Sequence, residues 1–175
     1  MKTKRPFSGL WKQDDGLAAI EAALVFPLLL TMLMGTYDLG NAILANTKVV
    51  RASQVVADLV TRKRATNNTE VLEAIEAGKL ALEPLNTGSF GVDIASIEFD
   101  DEADSSIIWR RTVNMTPDPS VLNRVEALAE ENAGVVVVSV RYTYQPFFAH
   151  FLTGDISMME TAFARGRKSA VVRYQ

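Results

Sequence analysis

The chain reads as one long apolar block followed by shorter segments that alternate between apolar and polar positions. Leu17 to Tyr37 runs LAAIEAALVFPLLLTMLMGTY, and Glu21 is its one charged residue. Twenty-one residues of α-helix reach about 31 Å, against a hydrocarbon core of about 30 Å, so this block predicts a single membrane-spanning helix. From Asp38 the pattern becomes amphipathic. Ala42, Ala45, Val49, Ala52, Val56 and Leu59 recur at spacings of three and four, while Asn46, Lys48, Arg51, Gln54, Asp58 and Arg62 occupy other faces. Residues 38–64 hold Gly40 and no proline, so the helix is expected to continue to about residue 64, a stalk of roughly 72 Å from Leu17. Arg62-Lys63-Arg64 would close it, where positive charge suits the helix dipole.

Further on, a short helix is expected over residues 69–82, with Leu72, Ile75 and Lys79 on one face and Pro84 and NTGSFG stopping it. Strands are expected over 92–99 and 107–115, separated by DDEADSS; in the second, Ile107, Trp109, Val113 and Met115 share a face interrupted by Arg111. Asp118 and Pro119 suit the N-cap and first turn of a helix over 119–132, ended by Gly134. The clearest strand is Val135 to Tyr144, where Val136, Val138, Val140, Tyr142 and Tyr144 line one face. Last strands fall at 156–164 and 170–174. Short links between strands favour antiparallel pairing. The expected fold is therefore α+β: a long N-terminal transmembrane and stalk helix packed on a small, mostly antiparallel β-sheet head with short extra helices. Its parts are a span at 17–37, an amphipathic continuation at 38–64 and a head at 65–175.

Composition narrows the function. Hydrophobic residues are 48% and charged residues 22% of 175, a folding composition, and the net charge of −3 argues against nucleic acid as a partner. With no cysteine, disulfides, zinc-thiolate sites and thiol nucleophiles are excluded. Before the apolar block stand Lys2, Lys4, Arg5 and Lys12 against Asp14 and Asp15, which places the N-terminus in the cytoplasm and everything after the span outside. Candidate catalysis is thin. His150, the single histidine, sits in FFAHFL with no nucleophile motif beside it. The acidic FDDEAD at 99–104 lacks the glycine and distal glutamate of a calcium loop and reads as a solvated turn. NTGSFG precedes a strand and not a helix, so it is no phosphate cradle. We expect no enzyme, no cofactor and no metal.

Three readings of the apolar block remain open on the residues alone. It is a signal peptide cut near Gly40-Asn41-Ala42, or an uncleaved bitopic anchor carrying an external partner-binding domain, or something that gives Gly16 and Glu21 a joint role. The block is longer than a usual signal core, and an intramembrane carboxylate is a functional group by default. No Lys or Arg stands three or four positions from Glu21, where Leu17, Ala18, Leu24 and Val25 lie, so its partner must come from elsewhere.

A polar, basic leader ending in Gly16, a glutamate five residues later, Pro27 with Leu28, Leu29 and Leu30, then Gly35, Asp38 and Gly40 make a set. In these positions the sequence resembles the TadE/TadF-like minor pilins, or pseudopilins, of the tight adherence (Flp) pilus system. TAFARGR at 161–167 is similar to that family's closing strand, whereas Ala22 departs from the aromatic residue more usual after the glutamate.

The resemblance implies a leader at 1–16, cut by a prepilin peptidase between Gly16 and Leu17. The cut would remove four positive and two negative charges, taking the net from −3 to −5 and leaving a new α-amine on Leu17. It also implies that Glu21 serves assembly, its carboxylate pairing with the amine of a neighbouring subunit. Glycine before the cut lets a protease approach the backbone. Pro27 removes one helical N–H and is expected to kink the span, and Ala18, Ala19, Ala22 and Ala23 favour close helix contact. The implied partners are the prepilin peptidase, other minor pilins and the major Flp pilin, the inner-membrane pilus assembly platform and membrane lipid. The implied location is the bacterial inner membrane, single-pass, with an extracellular pilus as a further destination and surface adhesion as the outcome.

Overall fold

The apolar and amphipathic blocks form one uninterrupted helix, α1 (Asp14–Thr61), in the computed structural model of the chain, which describes residues 14–148 and 150–175. The leader expected at 1–16 lies outside the described residues as far as residue 13. Helix α1 stops three residues short of the expected end for an identifiable reason. Thr61 turns its hydroxyl back onto the Ala57 carbonyl at 2.8 Å, and its own carbonyl is taken by the Arg167 N–H at 3.1 Å. Arg62 then pairs with Asp58, and Lys63 with Glu70. After strand β1 (Ala65–Thr66) the Asn67 side chain accepts the Glu70 N–H at 3.0 Å and starts helix α2 (Asn68–Leu80).

The head is a four-stranded antiparallel sheet of β2 (Gly91–Phe99), β3 (Ser105–Val113), β4 (Gly134–Tyr144) and β5 (Ile156–Ala164), in the order β3-β2-β4-β5. Period-two alternation sorts its side chains. Val92 and Ile94 of β2 and Val136, Val138, Val140, Tyr142 and Tyr144 of β4 face α1, where Ala45, Val49, Ala52, Val56 and Val60 meet them. Ala95, Ile97 and Phe99 with Val135 and Val137 point to the opposite face, under helix α3 (Val121–Val125) and the tight turn Glu126–Leu128. The sequence-derived stripe on α1 and the inward face of β4 are thus the core. A short helix, α4 (His150–Thr153), links β4 to β5.

Four local expectations are corrected. Helix α2 buries Val71, Ala74, Ile75 and Gly78 rather than Leu72 and Lys79, because Gly78 is where it crosses α1. In β3 the register slips between Ser96 and Ile97, so Trp109 pairs with Ser96 but Ile107 with Ile97, and the two no longer share a face. The helix expected over 119–132 is only 121–125 plus one tight turn: Asp118 does not cap it, and Asn132, at a φ of 57°, turns the chain toward β4. The last strand, β6, is Arg173–Tyr174 alone and runs parallel to β1, with the Arg173 N–H donating to the Arg64 carbonyl at 3.3 Å and the Gln175 N–H to that of Thr66 at 2.9 Å, while the Val172 carbonyl just before it is taken by the Ser96 hydroxyl and the Trp109 indole, both at 2.8 Å.

Candidate functional site

Every residue of α1 from Gly16 to Leu33 is exposed, and this half of the helix rises free of the head. It is the one stretch among the described residues long and apolar enough to cross a membrane, and none of its apolar window is buried by the protein itself. This half is therefore not a core helix of the chain's own head. Within it the Thr31 hydroxyl donates to the Pro27 carbonyl at 2.8 Å, and Thr36 to Met32 at 2.8 Å, so these polar atoms are satisfied inside the helix. Glu21 is different: it is exposed and makes no ion pair or hydrogen bond among the described residues, about 6 Å along the axis from Leu17.

The glycines separate into two groups. Side chains at Gly91, Gly134 or Gly166 would strike other parts of the head, and one at Gly78 would strike Val56 of α1, all within 3.0 Å. A Cβ at Gly16, Gly35 or Gly40 would meet nothing within 4 Å among the described residues. Glycine inside a helix costs about 1 kcal/mol relative to alanine. Packing among the described residues supplies no reason for glycine at Gly16.

Where the free half meets the head, a polar collar forms around Asp38. Asp38 is 4% exposed, and its carboxylate accepts the N–H of Phe147 at 3.0 Å and of Phe148 at 2.8 Å. The chain can present these amides because β4 ends at Tyr144 and the buried Pro146, with no N–H of its own, turns the backbone over the helix. The Tyr37 ring stands edge-on to Phe148 at 5.7 Å, and Phe148 to Phe147 at 4.8 Å. Leu30, Leu33, Met34, Tyr37, Phe147 and Phe148 enclose an open apolar cleft of about 450 Å³. Burial, with the nearby Asp38 and Tyr37, holds the Tyr144 phenol above its ordinary value. In the sequence, Asp38 stood out only as one position of a family-like pattern; Phe147 and Phe148 were not singled out.

A second polar cluster lies on the far face of the sheet. Arg110 forks onto Asp93, with Nε 2.9 Å from Oδ1, and reaches the Asp118 carbonyl at 2.8 Å. Thr112 Oγ1 donates to Asp93 at 2.7 Å, and the Asp118 N–H at 3.1 Å. Desolvation pushes the Asp93 carboxyl up, but the hydrogen bonds from Arg110, Thr112 and Asp118 outweigh it and hold the group below its ordinary value. The Asp118 carboxyl is likewise held low, first by the Ser120 hydroxyl and amide. Its Oδ2 makes no hydrogen bond, but Arg124 Nε lies 3.2 Å away as an ion pair. With each charge facing an opposite one, this cluster ties β2, β3 and the 118–120 turn together.

The other sequence candidates do not converge. His150 is exposed, with Nδ1 3.4 Å from Asp155 Oδ1. Asp100 spends Oδ1 on the N–H groups of Glu102 and Asp104, at 3.0 and 2.8 Å, closing the β2–β3 turn. Among the described residues no three acidic or histidine side chains gather as a metal site.

The family model for TadE-like proteins matches residues 16–58, from the glycine at the head of the exposed helix, through Glu21, Pro27 and the Asp38 collar, to the part packed on the sheet. No curated protein and no solved structure gives a significant match. By length and hydropathy this N-terminal helix suits a membrane anchor.

Proposed function

We propose that this TadE-like chain is a minor pilin, or pseudopilin, of a tight adherence (Flp, type IVc-like) pilus. It is inserted in the inner membrane with its N-terminus cytoplasmic, cut by a prepilin peptidase between Gly16 and Leu17, and held by residues 17–37 with the 65–175 head outside. The observation that carries this reading is the joint state of Gly16 and Glu21 on an exposed apolar helix. Among the described residues Gly16 has no packing reason to be glycine and Glu21 has no partner, so both point to other molecules. A peptidase that must reach the backbone accounts for the first. A subunit offering a cation accounts for the second, because an ionised carboxylate in a low-dielectric layer is costly until it is paired.

The helix geometry supports an assembly step. Cleavage leaves the Leu17 α-amine one helical turn from Glu21, so each subunit would carry one cation and one anion about 6 Å apart along the axis. A small axial offset between neighbouring helices then sets the amine of one against the carboxylate of the next. Pro27 leaves the Ala23 carbonyl without its usual donor and weakens the helix there, which lets the span bend as it leaves the lipid. Other minor pilins, the major Flp pilin and the assembly platform are the partners, and surface adhesion is the outcome.

The N-terminal sequence of the mature chain from cells tests this. It should begin at Leu17, and Gly16→Lys should abolish the cut. A mature chain beginning at Met1 would make the protein an uncleaved bitopic anchor, and one beginning between Asn41 and Ile43 a secreted domain.

A further inference from the structure

We infer that the loop carrying Phe147 and Phe148 is a second membrane contact, seated in the outer leaflet beside the spanning helix. The inference rests on the reading of residues 17–37 as a span. Asp38 stands about 31 Å along the helix from Leu17, which puts the two amides it holds at the outer edge of the hydrocarbon. The phenylalanine rings do not stay at that level. They border a cleft with Leu30, Leu33 and Met34, which lie about 6 to 12 Å closer to the membrane centre than Asp38. Phe147 is 79% exposed, so the protein itself leaves this ring uncovered.

Lipid is the occupant that the surroundings favour. The apolar surface of the loop is continuous with that of the exposed helix at Leu30 and Leu33, so a bilayer reaching one reaches the other. Backbone entering lipid must bring its own hydrogen-bond partners. Here Pro146 has no N–H, and Asp38, itself buried, satisfies the two amides that follow. Tyr37 stands at the same boundary, the level at which aromatic rings collect in membrane proteins. A second contact beside the helix would stop the head from rotating about the helix axis and present one face of the sheet to neighbouring subunits.

The chain contains no cysteine, so single substitutions accept one fluorescent label each. The full chain would be reconstituted in vesicles of phosphatidylethanolamine and phosphatidylglycerol, with bimane on Phe147→Cys, on Leu30→Cys as the spanning reference or on Asn86→Cys as the head reference. Quenching by aqueous iodide and by lipids carrying a nitroxide below the headgroup would then be read. We expect the Phe147→Cys label to be quenched by iodide about threefold less than the Asn86→Cys label, and by nitroxide lipid within about twofold of Leu30→Cys. If the Phe147→Cys label is as open to iodide as Asn86→Cys while Leu30→Cys is quenched by lipid, the span stands and the inference falls. Shielding of the Phe147→Cys label from both quenchers means that protein covers the loop, which also overturns it. A Leu30→Cys label open to iodide overturns the span itself and the inference with it.

Discussion

Replacing Asp38 by alanine should release the 147–148 loop from the helix while leaving the rest of the head folded. The carboxylate accepts two backbone donors, at 3.0 and 2.8 Å, and hydrogen bonds to a charged acceptor contribute about 1.5 to 3 kcal/mol each. The edge-on contact of Phe148 with Tyr37 adds about 0.5 to 1.5 kcal/mol. These gains do not all appear as lost stability, because a released loop lets both amides find water. The loss is thus capped at the free energy of local opening, which we place at about 3 kcal/mol, or roughly 100-fold in the opening equilibrium. Amide hydrogen exchange of the full chain in detergent, read on the peptide containing Phe147 and Phe148, should speed up by that factor in Asp38→Ala. The core turns of α1, where Ala45, Val49, Ala52 and Val56 are fully buried, should keep their protection. Asp38→Asn retains one acceptor oxygen and turns an NH₂ toward the other amide, so about half of the free-energy loss should remain. Unchanged exchange at 147 and 148 in Asp38→Ala would refute the collar as the tie between helix and loop.

Further tests address assembly, charge and packing. Glu21→Gln should remain inserted and be processed at Gly16, yet lose crosslinking to other pilins or piliation through a docking loss of a few kcal/mol; wild-type crosslinking and piliation in a processed mutant would remove its assembly role. Because the Asp93 carboxyl lies lower in the folded chain than its ordinary value of 3.8, its contribution to stability is present above that pH and is lost as pH falls through the lower folded value. Asp93→Asn should therefore cost about 3 kcal/mol at pH 7 by stranding Arg110, and flatten the loss of stability below pH 4; guanidinium unfolding at several pH values checks both effects. In Gly78→Ala the new Cβ would lie 2.5 Å from Val56 Cγ2, and this overpacking of about 1 to 3 kcal/mol should exceed the helix-propensity gain of about 1 kcal/mol. Adding Val56→Ala should then cost less than it does in the wild-type chain, and a more stable Gly78→Ala would show that the α1–α2 crossing is looser than drawn.

Much of the architecture is carried by local order along the chain. An unbroken apolar run from Leu17 is legible as a long exposed helix because its length and hydropathy need no partner to be read. The stripe from Ala45 to Val56 and the alternation of β4 are legible for a related reason: a periodicity of 3.6 or 2 records which side is buried even when the covering element is unknown. Gly16, Glu21 and Pro27 could be proposed from sequence, since the pattern that singles them out is spacing along one helix. Tertiary structure decided what depends on residues far apart. Asp38 and Phe147 are 109 positions apart, and nothing in the local composition around either one pairs them. The rotation of α2 onto Gly78, the slipped register that parts Ile107 from Trp109, the use of Asp118 as a partner of Arg124 rather than a helix cap, and the tail that closes on Thr61 and Ser96 are of the same kind. In each, the local pattern allows several faces or partners of similar energy, and the choice falls to whichever surface the rest of the chain brings into contact.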